Sequence, residues 1–413
     1  MIDSLNVYVK GVKAGVLKMD TEVNAMTFAY DGEYLASETA TPLSLSLPLQ
    51  PLAFDAYRTK VFFENLLPPE IVRRKLEKII HHDRNNVFAF LKYLGGDCAG
   101  AIALYPDGGD PSLQADTVRE LDDEEADEIL KALPESPLLQ GVVEGYRISV
   151  AGAQDKLVAR VKDGRIALPL FGSASTHIIK PRMGRCPTSV ENECFCQRLA
   201  EKAKISAAVS SILTVKGLPY YVTGRYDRAE TGNGIVRYLQ EDFCQAMGVD
   251  SERKYQMDGG PSAARCFLFL RDNGFGLADQ MSFLDCFLFN FLIGNADAHA
   301  KNFSLVEIDG KCRIAPLYDA MSTVVYPNVV NSMAMNIGGK YEYADVVRND
   351  FVTLAGKCDI SPKAILTRLD ALAEKLPRLA ESLGEEMSDE GHPSGVYAEI
   401  LSVIRRHIAQ TGK

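Results

Sequence analysis

The sequence predicts an α+β chain arranged as two lobes behind a small leading α+β unit. Three observations predict it. Short β-type runs crowd residues 146–226, helical patterns take over beyond about 240, and the first hundred residues mix a hairpin with helices of their own. At 413 residues the chain also exceeds what one core usually serves. The units expected are 1–110, 140–227 and 228–413, the last of them all-helical.

In the leading unit, Leu5 to Leu17 alternates apolar and polar residues around a Gly-bearing turn, a hairpin signal. Residues 42–48, Pro-Leu-Ser-Leu-Ser-Leu-Pro, alternate again between prolines that cannot donate to a ladder, which predicts a short edge strand. Helices follow over 68–81 and 86–94. Pro68 and Pro69 stand near the start of the first, where a missing N–H costs least, and Gly95-Gly96 stops the second. Residues 106–116, rich in Pro, Asp, Gly and Ser, are expected as a loop or linker. The acids of Leu121 to Leu130 load the first turn of a helix, which the macrodipole favours, and read as a solvated face.

The next stretch holds β-type runs at 157–161, 166–168, 177–180, 211–215 and 220–223, with one helix near 191–203. Helices are then expected at 261–272, 279–293, 346–357, 362–382 and 396–409. A β-rich lobe followed by a helical lobe is the plan of protein kinases. No internal repeat or low-complexity tract interrupts it.

Composition narrows the function classes. A hydrophobic content of 46% with 24% charged residues is that of a soluble globular protein. A net charge of −10 argues against sequence-independent nucleic-acid binding by this chain alone. The most apolar run, Phe283 to Ile293, is broken by Asp285 and Asn290 and falls short of the roughly 20 residues of a spanning helix, so no membrane association is expected. The N-terminal Met-Ile-Asp-Ser-Leu lacks the basic lead and apolar core of a secretory signal. Nine scattered cysteines, with Cys194-x-Cys196 lacking a second pair, read as buried hydrophobes in a reducing cytoplasm.

Chemistry concentrates in Gly294-Asn-Ala-Asp-Ala-His-Ala-Lys-Asn-Phe303 and Ala315-Pro-Leu-Tyr-Asp-Ala320. Asp297 precedes Asn302 by five residues, and Asp319 follows seventeen residues later. Transfer of a phosphoryl group from ATP needs such a set: one carboxylate to receive the proton of the attacking hydroxyl, and an amide plus a second carboxylate to hold the metal bridging the phosphates. Asp297 is thus the candidate base and Asn302 and Asp319 the candidate Mg²⁺ ligands. Lys301, beside the transferred group, would offset developing negative charge. His299 has two readings, orienting the loop or contacting phosphate. Asp-x-His also occurs in metallophosphoesterases, but that chemistry needs further histidine ligands, and His81, His82, His392 and His407 show none nearby.

Two upstream segments complete the set. The small residues of Ser149-Val-Ala-Gly-Ala-Gln-Asp-Lys156 suit a backbone turn that approaches phosphate closely, although a bare turn between strands fits as well. Lys180 ends the β-branched run His177-Ile-Ile-Lys180, where a kinase grips the α- and β-phosphates, although taken alone an exposed strand lysine is the commoner reading. Glu193 on the following helix could pair with it or serve as a helix-start acid favoured by the dipole.

These residues, in this order, resemble the HipA family of bacterial serine/threonine kinase toxins over nearly the whole chain. The resemblance is carried by Phe62-Phe-Glu-Asn-Leu-Leu-Pro68, Leu94-Gly-Gly-Asp-Cys-Ala-Gly-Ala101, Arg147 to Lys156, Ile-Ile-Lys-Pro181, Gln240-Glu-Asp-Phe-Cys-Gln245, Asp258-Gly-Gly260 and Asp297 to Ser304. It implies a HipA-like, protein-kinase-like fold, with Asp297 as base, Asn302 and Asp319 on Mg²⁺, and Lys180 on ATP. It implies that Ala151, Gly152, Ala153, Gln154, Asp155 and Lys156 cover the phosphates and that Gly224, Arg225 and Tyr226 form the hinge at adenine. The usual Glu-Arg-Phe type of hinge reads Gly-Arg-Tyr here. Ser149 matches the family's autophosphorylated serine, whose phosphate would repel those of ATP and switch the enzyme off.

The resemblance further implies a small helix-turn-helix antitoxin (HipB-like) and operator DNA reached mainly through it. It implies a protein substrate, glutamyl-tRNA synthetase in the best-known branch, and growth arrest in a bacterial cytoplasm. Two competing readings are a small-molecule phosphotransferase and a catalytically idle co-repressor scaffold. The intact Lys180, Asp297, Asn302 and Asp319 speak against the second.

Overall fold

The computed structural model describes residues 2–111, 116–135, 137 and 143–412. The leading unit runs β1 (Ile2–Val9), β2 (Val12–Asp20), β3 (Ala25–Tyr30), α1 (Gly32–Leu35), α2 (Ala56–Asn65), α3 (Glu70–Ile80), α4 (Val87–Leu94) and β4 (Ile102–Pro106). Its strands form an antiparallel sheet in the order β3-β2-β1-β4. The first hairpin turns on Lys10 (φ 51°) and Gly11 (φ 82°), two left-handed residues whose twist matches that of the flanking strands. Sheet residues Leu5, Val7, Leu17 and Phe28 share a core with Phe62, Phe63 and Leu91 of the helices.

The expected edge strand at 42–48 does not form; only Ser44 and Leu47 bridge each other. The segment's polar groups are taken elsewhere. Ser44 Oγ and Leu45 N–H donate to the Glu241 carboxylate, and Ser46 Oγ donates to the Gln245 carbonyl. Alternation without an adjoining strand edge is not enough to make a ladder. Of the loop expected at 106–116, residues 112–115 lie outside the described residues.

The middle lobe comprises β5 (Thr117–Glu120), α5 (Asp123–Ala132), β6 (Leu157–Lys162), β7 (Arg165–Leu170), β8 (His177–Lys180), α6 (Ser189–Lys202), β9 (Ser210–Val215) and β10 (Leu218–Gly224). Its strands make one antiparallel sheet in the order β5-β7-β6-β8-β10-β9. The acidic helix α5 starts with a capping box in which Asp122 and Glu125 satisfy each other's backbone N–H. Its Leu130 packs with Leu157, Val158, Ile179 and Val222 of the sheet.

The last lobe opens with the hairpin β11 (Arg228–Thr231) and β12 (Gly234–Arg237), followed by β13 (Leu239–Asp242) and α7 (Phe243–Ala246). It continues with α8 (Ala263–Asp272), α9 (Leu277–Ile293), β14 (Ser304–Ile308), β15 (Lys311–Ile314), α10 (Arg348–Lys357), α11 (Pro362–Asp389) and α12 (Val396–Thr411). It is mainly helical but not all-helical. An antiparallel sheet β13-β14-β15 lies across it. These strands are short and mostly polar, and β13 meets β14 only after some sixty residues of intervening chain, so local periodicity does not announce them. The sheet matters for the site, because β14 starts two residues after Asn302 and anchors one end of the loop that bears it.

Candidate active site

The loop after α9 is shaped by its first residue. Gly294 caps the helix at φ 73°, a left-handed conformation, and a Cβ there would lie 2.3 Å from Val324 and 2.9 Å from Val403. The chain then turns back on itself. Asn295 donates to Asn290 Oδ1 at 2.7 Å, and its own Oδ1 accepts from Asp297 N–H at 3.2 Å. Asn302 Nδ2 donates to the Asp297 carbonyl at 2.8 Å, closing the five-residue interval into a tight turn. The Asp297 side chain remains about half exposed, at 51%. One of its oxygens accepts from the Tyr255 hydroxyl at 2.6 Å, which leaves the other open to the cleft.

Across the cleft, Lys180 at the end of β8 is 2.6 Å from Glu193 of α6 and 2.5 Å from Asp319. The sequence reading placed Lys180 and Glu193 together, and they meet. Burial works against the Lys180 charge, but the two carboxylates outweigh it and hold the ammonium protonated. Burial likewise acts against ionised Asp319, and Lys180 outweighs it, leaving the carboxyl well below its usual range. Asp319 sits at φ 56°, a left-handed conformation for a residue with a side chain, and its carboxylate is 43% open to the cleft. Asn295 Nδ2 lies 3.5 Å from the Asp319 carbonyl, so the 294–303 loop and the segment bearing Asp319 are stitched together.

The Ser149–Lys156 loop closes the site from the sheet side. Gly152 has φ 110°, and a Cβ there would lie 2.3 Å from Lys156 Nζ, so glycine lets the loop fold over that ammonium. Lys156 Nζ donates to the Ala151 carbonyl at 2.7 Å, and among the described residues no carboxylate reaches it within ion-pair distance. Burial, then the nearby Lys180 charge, push it down to about 8. Gln154 Nε2 lies 3.3 Å from the Pro181 carbonyl, and Asp155 faces Lys75 at 3.7 Å. Gly152 and Ala153 are exposed and Ala151 is half-buried. Ser149 is fully buried, with its Oγ donating to the Leu66 carbonyl at 2.7 Å and its N–H to the Asp97 carbonyl at 3.1 Å.

Other expected site residues have different placements. Lys301 does not point at an open phosphate position: its ammonium is held by Asp242 and by Asn65 Oδ1, each at 2.6 Å. A nearly buried ammonium needs such partners, and they neutralise the charge expected to face the transferred group. Arg225 likewise has no side chain to offer adenine. It is buried against Asp227 at 2.8 Å, Asp97 at 3.3 Å and Ser175 Oγ at 2.8 Å. Gly224 ends β10, and Tyr226 stacks on Tyr318 and donates to Gln240 Oε1 at 2.8 Å.

His299 is buried, and burial pushes it down to about 4, so the ring is neutral at physiological pH. Its Nε2 lies 3.9 Å from Asp297, too far for a hydrogen bond, and its Nδ1 has no partner among the described residues. Nor do the described residues bring three or more His, Cys, Asp or Glu side chains together in a metal-binding cluster.

The sequence reading missed Tyr255, Asn65, Asp242 and Asp97. Tyr255 and Asp242 lie within or beside the Asp258-Gly-Gly and Gln240–Gln245 signatures, but no spacing rule links them to the loop at 297. Asn65 and Asp97 belong to the leading unit, far away in sequence.

A HipA-like C-terminal domain matches residues 148–380, and a HipA N-terminal domain matches residues 5–105. The chain belongs to the HipA family. A Sinorhizobium fredii protein named "Putative kinase Y4mE" is 38% identical over 391 residues, 93% of each chain. A Shewanella oneidensis protein named serine/threonine-protein kinase toxin HipA is 26% identical over 393 residues, 91% of this chain and 88% of that one. The solved complex of Shewanella oneidensis HipA with HipB and operator DNA aligns at a TM-score of 0.84 with 24% identity, covering 98% of this chain and 97% of that one. The fold is therefore the HipA-like kinase fold, and kinase activity with use of ATP and a metal goes with the family.

Proposed function

We propose that this HipA-family chain is an ATP-dependent serine/threonine protein kinase and the toxin of a toxin–antitoxin module. The observation that carries it is the convergence of Lys180, Asp319 and the Asp297–Asn302 turn on one cleft. The donor set fits a nucleotide with its metal. A buried Lys156 ammonium bonded, among the described residues, only to a carbonyl suits a phosphate, and the open carboxylate of Asp319 suits a hard divalent cation. When bound, Mg·ATP supplies the γ-phosphoryl group and the charge that offsets its oxygens.

The chain's own residues do the rest. Asp297 presents the oxygen not engaged by Tyr255 to the incoming hydroxyl and receives its proton. Lys180, fixed by Glu193, grips the α- and β-phosphates, and the turn from Ala151 to Lys156 covers them. Neutral, buried His299 packs edge-on against Tyr255, which holds Asp297, and so fits the reading in which it orients the loop. At the hinge, Gly224 and Tyr226 are left to meet adenine through their backbone, since Arg225 is committed elsewhere.

Ser149 serves as the off-switch. Its burial against Leu66 leaves no room for a phosphate, so autophosphorylation needs the loop to leave, and the added charge of about −1.5 to −2 then opposes its return. By analogy with the Shewanella oneidensis complex, the partners are a HipB-like helix-turn-helix antitoxin and, mainly through it, operator DNA. The substrate class is a protein hydroxyl in the translation machinery, with glutamyl-tRNA synthetase the first candidate. The acidic chain fits a cytoplasmic toxin that reaches DNA through a basic partner.

The test incubates purified protein with γ-labelled ATP and a bacterial lysate, beside Asp297→Asn. Label entering polypeptides with wild type, and roughly 10²–10⁴-fold less with the variant, is expected for loss of a general base. Label confined to small molecules would replace the proposal with a small-molecule phosphotransferase. Growth arrest on induction should likewise require Asp297; equal toxicity of both forms would make catalysis irrelevant to its action.

A further inference from the structure

Two consecutive residues at the end of α2 meet both catalytic segments. Asn65 Oδ1 accepts from Lys301 Nζ at 2.6 Å, and the next carbonyl, that of Leu66, accepts from Ser149 Oγ at 2.7 Å. Both residues are buried, at 2% and 1% exposure. The leading unit thus reaches the catalytic loop and the phosphate-covering loop through one short segment.

Lys301 is a junction. Its ammonium is shared between Asn65 and Asp242, and Asp242 is itself rigid because it caps α7, accepting from Gln245 N–H at 3.0 Å. The Lys301 carbonyl accepts from the Tyr318 hydroxyl at 2.6 Å. Asn302 follows Lys301 in sequence, and Asp319 follows Tyr318. A displacement of Lys301 therefore moves both of the residues proposed to hold the metal.

We infer that Asn65 is a positioning residue of the phosphotransfer site: it holds Lys301 and so sets the relation of Asn302 to Asp319. The leading unit is then a structural part of the active site, acting without touching substrate. Only the rate readout below rests on the kinase reading; the exchange readout does not.

The asparagine has a second set of bonds that a purely architectural role would use. Its Nδ2 donates to the Val61 carbonyl at 2.8 Å and to the Val249 carbonyl at 3.2 Å. Asn65→Asp keeps an acceptor for Lys301 and loses both of those donors, so it separates the two roles. The experiment compares full-length wild type, Asn65→Ala, Asn65→Asp, Lys301→Met and the Asn65→Ala/Lys301→Met double variant. Readouts are amide hydrogen exchange of the 296–304 segment, Mg·ATP affinity, and the rate of transfer to myelin basic protein, with melting temperatures confirming folding.

Asn65→Ala is expected to speed exchange in that segment and lower kcat by about tenfold each, the scale of one lost charge-assisted hydrogen bond, with Mg·ATP affinity falling alongside because both proposed metal ligands shift. Asn65→Asp is expected to restore both to within about threefold of wild type, because the charged acceptor for Lys301 remains. Lys301→Met should match Asn65→Ala, and the double variant should add nothing. An Asn65→Asp protein as loose and slow as Asn65→Ala would assign the effect to the Val61 and Val249 bonds and overturn the inference. So would multiplying effects in the double variant, or unchanged exchange in Asn65→Ala. A wild type that labels no polypeptide, neither itself nor any in a bacterial lysate, with exchange responding as described, would sink the kinase reading and leave Asn65 its role.

Discussion

Lys156 and Lys180 carry the same charge into the same cleft, and their neighbours give them opposite tasks. Lys180 lies between Glu193 and Asp319 and stays protonated under all ordinary conditions. Among the described residues Lys156 bonds only the Ala151 carbonyl, and burial brings it down to about 8. Arriving phosphates would raise it again, so above pH 8 nucleotide binding must take up a proton. The sign follows: affinity for Mg·ATP is full below pH 8 and falls as pH rises beyond it, by up to about tenfold per unit. Calorimetry in buffers of different ionisation heat should show proton uptake near pH 9 and little at pH 7. Uptake unchanged by Lys156→Met would assign the proton to another group.

At the scale of elements, the loop proposed to cover the phosphates is held at one end by a buried hydroxyl. Ser149 is wholly shielded, so a carboxylate in its place would lose its water and face the Leu66 carbonyl, acceptor against acceptor. Ser149→Asp is therefore expected to expel the loop and weaken Mg·ATP binding by at least about tenfold, the equivalent of one unmade buried hydrogen bond. Wild-type affinity measured for that variant would refute the switch. The loop, β8 and α6 were all visible in sequence, because glycine content, β-branched runs and helix-start acids are local signals. The sheet β13-β14-β15 was not, because its strands find each other across long stretches of chain. Nor was the unfolding of the alternating 42–48 pattern into a segment that serves Glu241.

At the scale of the molecule, one carboxylate ties the leading unit to both lobes. Asp97, fully buried just ahead of β4, faces Arg228 at 2.9 Å and Arg225 and Arg237 at 3.3 Å each, and accepts from Ser175 Oγ at 2.6 Å. Burial opposes its charge, and the three guanidinium groups hold it ionised. Asp97→Ala would leave Arg228 and Arg225 buried with Asp227 alone, a loss of roughly 3–5 kcal/mol for breaking a buried ion cluster from one side. Urea unfolding would measure it, and a loss below about 1 kcal/mol, the scale of a surface pair, would show the cluster to be dispensable.

The sequence by itself determined the family and pointed to the residues proposed as the catalytic set, because spacing and periodicity are properties of neighbours along the chain. Asp297, Asn302, Asp319, Lys180 and Glu193 could be named from it, and the fold brings them to one cleft. Which charges are spent within the fold and which are left for a ligand was decided only by tertiary structure. Lys301 goes to Asn65 and Asp242, Arg225 to Asp97 and Asp227, and Lys156 to a mere carbonyl. An ionic partner is chosen by distance in space and by the cost of burial, and neither is written in the spacing of residues along the chain.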